Sequence, residues 1–148
     1  MSTLRRRLIF QLLAVLLSGV VPVAFSDPPA ETWDKVVFHL DEERAARWSL
    51  MLARSYLDDV PKAQIVFVAY GRGVDFLLDD AEDVHGDPFE YAVWNLARRG
   101  VVFRVCGATL KARNIAATDL LDVVEVVPSG ISEIARLQIS ERFAYLKP

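Results

Sequence analysis

The segment GVVFRVCGATL, from Gly100 to Leu110, sets the pattern for the whole chain. Its β-branched residues from Val101 to Val105 predict a short buried strand, and the residues after Gly107 permit a helix. Cys106, the only cysteine of the chain, therefore stands at the carboxyl end of a strand. Open α/β sheets bind ligands at that edge, and free backbone N–H groups there stabilise a thiolate. The segment thus defines both a structural unit and a candidate reactive group.

Similar apolar segments recur along the chain, alternating with amphipathic ones. The predicted strands are Lys35–Leu40, Gln64–Ala69, Val101–Val105, Val123–Val127 and Phe143–Tyr145. The predicted helices run from an Asp41 N-cap to about Leu57, from an Asp87 N-cap to Arg99, from Thr109 to Asn114 and from Ile131 to Glu141. Continuous apolar strands alternating with helices indicate a parallel sheet covered on both faces. We therefore expect a single three-layer α/β/α domain with a flavodoxin-like, mainly parallel sheet in the strand order 2-1-3-4-5.

Two of the helices have recognisable apolar faces. On the first helix, Ala45, Trp48, Leu52 and Tyr56 share one side, with arginines on the others. On the last helix the candidate inner stripe consists of Ile131, Ile134, Ala135 and Gln138.

The first 26 residues have the anatomy of a secretory signal peptide. Arg5–Arg7 form a basic start, residues 8–21 are a nearly continuous apolar run, and Pro22 ends it. Ala24–Ser26 supplies the small residues of a cleavage site before Asp27. An uncleaved membrane anchor is the alternative, but the run is shorter than the roughly 20 apolar residues of a spanning helix. We therefore predict a protein that is exported, to the periplasm or beyond, and leaves the membrane after cleavage.

The predicted organisation is a signal peptide (1–26), a linker (27–34) that contains Pro28-Pro29, and one folded domain (35–148). Cleavage removes three arginines and no acid, so the net charge changes from −3 to −6. This acidic balance argues against nucleic acid or an anionic membrane surface as a partner. A lone cysteine in an exported protein is a buried apolar residue, an intermolecular half-cystine or a working thiol.

In a sheet of the expected order, the carboxyl ends of the strands carry the candidate site. The binding candidates are Tyr70, Gly71 and Arg72 after strand two, Gly107 and Thr109 after strand three, and Ser129 and Gly130 after strand four. The expected order reverses between strands one and three, and His39 and Cys106 flank that point. An imidazolium or N–H groups near Cys106 would lower the pKa of the thiol.

Each candidate also has a purely structural interpretation. Cysteine is among the most often buried residues, and His39 lies within an apolar strand. Gly71–Gly73 lacks the third glycine of a nucleotide-binding motif, and a solvated Arg72 is common. Ser129 fits a helix N-cap better than a nucleophile, because no G-x-S-x-G pattern surrounds it.

Metal and cofactor signals are weak. The acidic residues between Asp75 and Asp87 miss the EF-hand spacing, which favours a solvated loop. His39, His85 and Cys106 lack the spacing of zinc ligands. We therefore predict no metal site and no cofactor.

Several segments together resemble the DsrE/DsrF-like family, most closely its exported stand-alone branch. They are Lys35–Asp41, Arg99–Cys106 with Thr109-Leu110, and Val126–Gly130 followed by Ile134–Gln138 and Tyr145. The resemblance extends from Lys35 to Pro148, and it implies a flavodoxin-like fold and assembly into trimers or hexamers. One position departs from the pattern of the exported branch, which often has Asn before the Thr-Leu pair where this chain has Ala108.

In the sulfur-relay members of that family, a cysteine accepts and passes on sulfur as a persulfide, and Cys106 stands at the matching position. The resemblance therefore implies a sulfur-handling protein with a donor or acceptor protein as partner, with or without sulfurtransferase-like turnover. Cys106 would be the nucleophile and carrier, and His39 its proton partner. The alternative is a non-catalytic homo-oligomeric module in which Cys106 is structural. In that case the rim, meaning the edge of the sheet at the carboxyl ends of its strands, binds a small ligand or a partner through Arg72 and Ser129.

Overall fold

A five-stranded sheet forms the centre of the computed structural model, which describes residues 34–148. Its strands are β1 (Lys35–Leu40), β2 (Gln64–Ala69), β3 (Val102–Cys106), β4 (Val124–Val127) and β5 (Ala144–Leu146). All neighbouring strands pair in parallel, in the order β4-β3-β2-β1-β5. The predicted α/β class and parallel sheet are confirmed. The predicted signal peptide and the linker up to residue 33 lie outside the described residues.

Four α-helices connect the strands. They are α1 (Ala46–Asp59), α2 (Glu90–Ala97), α3 (Gly107–Arg113) and α4 (Gly130–Glu141), with 3-10 turns at Glu43–Ala45, Gly71–Leu77 and Ala117–Asp119. In the part of the chain from Asp34 onwards, none of these helices combines the length and apolar character needed to cross a bilayer.

Helices lie on both faces of the sheet and form three layers. On the first face, α1 and α2 pack against Phe38, Phe67 and Phe103, whose rings stack at centroid distances of 4.9 and 5.0 Å. On the second face, α4 places Ile134 and Leu137 against valines of β1 and β2. Both faces of the central strands are thus removed from water, as their continuous apolar sequences require.

Two predicted helix starts are wrong. α1 begins at Ala46 after a 3-10 turn, and Asp41 accepts a hydrogen bond from Lys147 Nζ at 2.5 Å instead of capping the helix. α2 begins at Glu90, because the Asp87 carbonyl oxygen is engaged by the Asp83 N–H and by Arg47. The Ser129 cap is confirmed, since its Oγ accepts a hydrogen bond from the Ser132 N–H at 3.3 Å.

The buried face of α1 differs from the side on which the large apolar residues cluster. Its buried residues are Ala46, Ser49, Leu50, Ala53 and Leu57, whereas Trp48 is 56% exposed. Small side chains on the inner face let the helix approach the sheet closely, which leaves the bulky indole outside. On α4, Ile134 is buried as predicted, but Ile131 is exposed and Leu137 takes part in the inner face.

The predicted strand order, 2-1-3-4-5, is wrong. β2 lies between β1 and β3, so the chain moves in one direction from β1 to β4. Only then does α4 cross the second face and place β5 beside β1. Right-handed crossovers put helices on opposite faces when the chain moves in opposite directions across a sheet. The order therefore reverses between β1 and β5, not between the strands that carry His39 and Cys106.

Candidate thiol site

Cys106 is the last residue of β3 and directly precedes α3. Its side chain is turned toward α4, and the residue is 7% exposed. Gly130, the first residue of α4, fits closely beside it, because a Cβ at Gly130 would lie 3.2 Å from the Cys106 Cβ. The thiol thus lies where the amino ends of α3 and α4 meet, and the backbone N–H groups of a helix start favour a negative charge.

Two opposing effects act on the pKa of the Cys106 thiol. Burial is the largest single effect and raises it, because a thiolate loses hydration. Hydrogen bonds from the Gly130 N–H, from the hydroxyl and N–H of Thr109 and from the Ala108 N–H act in the other direction. Together these donors hold the pKa of the thiol below its ordinary value. The site therefore favours the thiolate, which is the nucleophilic form.

The Thr109 hydroxyl is oriented by the loop after β2. The Gly71 N–H donates to Thr109 Oγ1 at 3.1 Å, which leaves the hydroxyl hydrogen available for the sulfur. Gly71 has φ +58°, a backbone conformation that favours glycine. Arg113 holds the same loop by donating to the Gly71 carbonyl oxygen at 2.8 Å and by pairing with Asp75 at 2.6 Å. The loop after β2 thus holds Thr109 in the orientation in which its hydroxyl can donate to the Cys106 sulfur.

We expect Thr109→Val to lower the reactivity of Cys106 at neutral pH. The variant keeps the side-chain shape but removes a hydrogen bond to the thiolate, and bonds to charged groups contribute about 1.5–3 kcal/mol. The alkylation rate with iodoacetamide at pH 7 is expected to fall on the order of tenfold, since ~1.4 kcal/mol corresponds to tenfold. The measurement is the pH profile of alkylation, whose midpoint should move to higher pH. Thr118→Val, at an exposed threonine, is the matched control, and an unchanged midpoint in Thr109→Val would contradict the role of the hydroxyl.

The start of α3 is also tied to the end of β4. The Ala108 N–H is shared between two acceptors, the Cys106 sulfur and the Pro128 carbonyl oxygen, which lies 3.3 Å from the Ala108 nitrogen. A Cβ at Gly107 would lie 3.1 Å from the Val127 carbonyl oxygen, so the two segments are close. Glycine at this position lets the backbone of α3 approach the segment that leads into α4. This approach brings the two helix starts to one sulfur.

His39 lies apart from Cys106. It is on β1, with β2 between the two strands, and its Nδ1 lies 2.6 Å from the Tyr145 hydroxyl oxygen on β5. The ring of Tyr70 packs on His39 at a centroid distance of 4.6 Å, and a Cβ at Gly130 would lie 3.2 Å from Tyr70 Cδ1. Tyr70 therefore stands between the imidazole and the thiol. The expectation that His39 and Cys106 flank one reversal point is wrong, because it depended on the strand order.

The buried His39 makes the stability of the fold depend on pH. Burial, the largest effect, lowers the pKa of His39 from its ordinary 6.5, outweighing the opposing charge of Asp41. The unfolded chain then binds a proton more readily than the folded one, so the free energy of unfolding falls as the pH drops below about 6.5. We expect His39→Phe to flatten this dependence in urea unfolding between pH 7 and pH 5. His85→Gln, at an exposed histidine, should leave the slope of the unfolding free energy against pH unchanged. If His39→Phe has the same slope as the unmodified protein, the pH dependence does not come from His39.

The structure gathers most of the predicted site residues around the thiol. Gly107, Thr109 and Gly130 surround Cys106, Tyr70 packs beside Gly130, Gly71 orients Thr109, and Ser129 caps α4. Arg72 is exposed and is not part of this arrangement. Arg113 and the contact between Tyr145 and His39 were not foreseen from the sequence, because both depend on strand and helix positions. Within residues 34–148, no group of three His, Cys, Asp or Glu side chains is arranged to hold a metal ion.

The protein thus belongs to the class of parallel α/β proteins, with a five-stranded sheet and a thiol at the carboxyl end of its third strand. The model of the DsrE/DsrF-like family matches residues 35–148, and the chain belongs to that family. Comparison with curated proteins finds no match.

Two solved structures are similar to this chain. A protein of unknown function, MTH1491 from Methanobacterium thermoautotrophicum, is 35% identical, with a TM-score of 0.69 over 78% of this chain and 99% of that one. The ychN protein from E. coli has the same coverage, 78% and 99%, with a TM-score of 0.64 and 18% identity. The second likeness concerns the fold alone.

Proposed function

We propose that the protein handles sulfur through Cys106, as a carrier that holds sulfur as a persulfide. The observation that carries this proposal is the set of donors around the sulfur: three backbone N–H groups and one hydroxyl hold the pKa of a buried thiol below its ordinary value. A purely structural cysteine in an apolar environment has its pKa raised instead. The lowered pKa supports a nucleophilic role, and membership of the DsrE/DsrF-like family supports sulfur as its cargo.

The proposed loading step is a displacement at sulfur. The Cys106 thiolate attacks the outer sulfur of thiosulfate, a new S–S bond forms, the S–S bond of thiosulfate breaks, and sulfite leaves with the electron pair. A donor persulfide reacts in the same way and leaves as a thiolate. In the relay step, an acceptor thiolate attacks the outer sulfur and releases the Cys106 thiolate. The donors that stabilise this thiolate make it a good leaving group.

The cellular setting belongs to the same proposal. The signal-peptide pattern at the N-terminus supports export to the periplasm or beyond, where a sulfur donor or acceptor protein would be the partner. Assembly into a trimer or hexamer is part of the proposal because the resemblance implies it. If the carrier also turns over, its activity would be that of a sulfurtransferase.

The low exposure of Cys106 favours the second candidate function, a non-catalytic homo-oligomeric module. At 7% exposure the sulfur offers a donor little surface, as expected for a packed residue. In this alternative, the rim near Ser129 and Arg72 binds a small ligand or a partner. The two functions differ in whether the thiol reacts in the folded protein.

Intact-mass spectrometry of the mature protein tests the proposal. After incubation with thiosulfate, we expect a mass gain of one sulfur atom that disappears on treatment with a reductant. The midpoint of alkylation against pH should also lie below the ordinary thiol value of about 8.5. Absence of the adduct, together with failure of the folded protein to react with iodoacetamide, would identify Cys106 as a structural residue and reject the carrier function.

A further inference from the structure

A groove of about 680 Å³ lies between α1 and α2. Its floor is apolar and includes Leu50, Ala92 and Leu96. Both helices cover the first face of the sheet, whereas α4 and the thiol site lie against the second face. The groove is therefore a separate feature, and nothing in the proposed sulfur chemistry requires it.

The charge of this groove is positive. None of the residues that line it is acidic. Four of them are arginines: Arg47, Arg54, Arg98 and Arg99. Two of them are neutralised from outside the groove, Arg47 by Asp83 and Arg99 by Asp58, both at 2.8 Å.

The other two arginines have no carboxylate partner among the described residues. Arg98 contacts the neutral Asn95, and Arg54 forms no ion pair within residues 34–148. A local excess of positive charge on a chain of net charge −3 selects a negatively charged ligand for this face.

Large apolar side chains stand exposed beside the same groove. Met51 is 49% exposed and Tyr91 71% exposed, and both line it. Trp48 lies one turn before Met51 on the same side of α1 and is 56% exposed. Trp, Tyr, Met and Arg are the residues enriched in the cores of protein–protein interfaces. The surface thus combines the apolar contacts and the charge of a protein-docking site.

We propose that this arginine groove, defined by α1 and α2 and its four arginines, docks an acidic amphipathic segment of a partner protein. The apolar side chains of the segment would cover Leu50, Leu96 and Met51, and its carboxylates would pair with Arg54 and Arg98. A second copy of this chain related by a two-fold axis is disfavoured, because such a contact centred on the groove would place arginines against arginines. A heterologous contact between copies, as in a trimer, would change the oligomeric state of the groove variants and is therefore one outcome of the test. Nucleic acid is disfavoured by the acidic balance of the whole chain.

The test uses a fluorescein-labelled helical peptide of about 18 residues, or five turns, made of Glu, Leu and Ala with Leu on one face. Its fluorescence anisotropy should report binding to the mature protein at low salt, and binding should weaken as salt is added. Arg54→Glu and Arg98→Glu are each expected to weaken binding on the order of tenfold or more. Lys111→Glu, which reverses one charge on the exposed side of α3, is the matched control and should have little effect.

Several results would overturn the proposal. They are equal binding of a peptide with Gln in place of Glu, an equal loss in Lys111→Glu, or no binding at low salt. Equally tight binding of a labelled single-stranded oligonucleotide would identify a general polyanion surface instead. A change of oligomeric state in Arg54→Glu, measured by sedimentation, would make the groove an interface between copies. None of these readouts depends on Cys106, so they are independent of the sulfur-carrier proposal.

Discussion

Cys106→Ser is expected to abolish sulfur loading completely while the fold remains intact. The substitution replaces the sulfur by a hydroxyl of similar shape, which does not ionise near neutral pH and does not form a persulfide. Incubation with thiosulfate should therefore leave the mass of the variant unchanged. Transfer of sulfur to an acceptor thiol should disappear with it, because the relay step starts from the loaded carrier.

A second variant tests whether sulfur loading requires the surroundings of Cys106 or only a thiol somewhere in the protein. Ser140→Cys on the Cys106→Ser background introduces a cysteine on the exposed side of α4, away from the helix starts that surround Cys106. We expect the relocated thiol to accept sulfur far more slowly at pH 7, because it lacks the donors from Gly130, Thr109 and Ala108. Circular dichroism and the oligomeric state should match those of the unmodified protein. Loading of the relocated thiol at the rate of Cys106 would show that the surrounding donors do not matter.

Gly73→Ala is expected to cause the largest loss of stability among the substitutions considered. A Cβ at Gly73 would lie 2.3 Å from the Leu40 carbonyl oxygen and 2.8 Å from the Asp41 nitrogen. These are backbone atoms at the end of β1, so no side-chain rotation relieves the overlap. We expect a loss of about 3 kcal/mol or more, at the upper end of the cost of overpacking. Urea unfolding followed by circular dichroism measures it.

A graded series provides the control for this prediction. At Gly107 and Gly130 an added Cβ would meet its nearest neighbour at 3.1 and 3.2 Å, so small shifts relieve the contact. Both glycines are the first residues of helices, where the higher helix propensity of Ala offsets a small part of the cost. Gly107→Ala and Gly130→Ala should therefore lose much less stability than Gly73→Ala. A loss in Gly73→Ala no larger than in these two would refute the steric argument.

Local sequence patterns were sufficient to predict the strands and the existence of the four helices, but not every helix start. Continuous β-branched and apolar runs such as Lys35–Leu40 and Gln64–Ala69 predicted strands with the observed bounds. The start of α4 was predicted correctly, because the Ser129 side chain provides its cap. The starts predicted at Asp41 and Asp87 were wrong, because polar groups of these residues have partners elsewhere in the fold. Capping is a local interaction, and it is predictable only when no distant partner competes for the same group.

The sequence by itself determined the α/β class, the parallel sheet and the position of Cys106 at the carboxyl end of a strand, because each follows from residues that are neighbours in the chain. Only the tertiary structure decided the strand order, since strands buried on both faces carry no signal for which strand lies beside which. That order separates His39 from Cys106 and brings Gly130 to the sulfur. The donors around the thiol come from segments more than 20 residues apart, and their convergence depends on the crossover through α4.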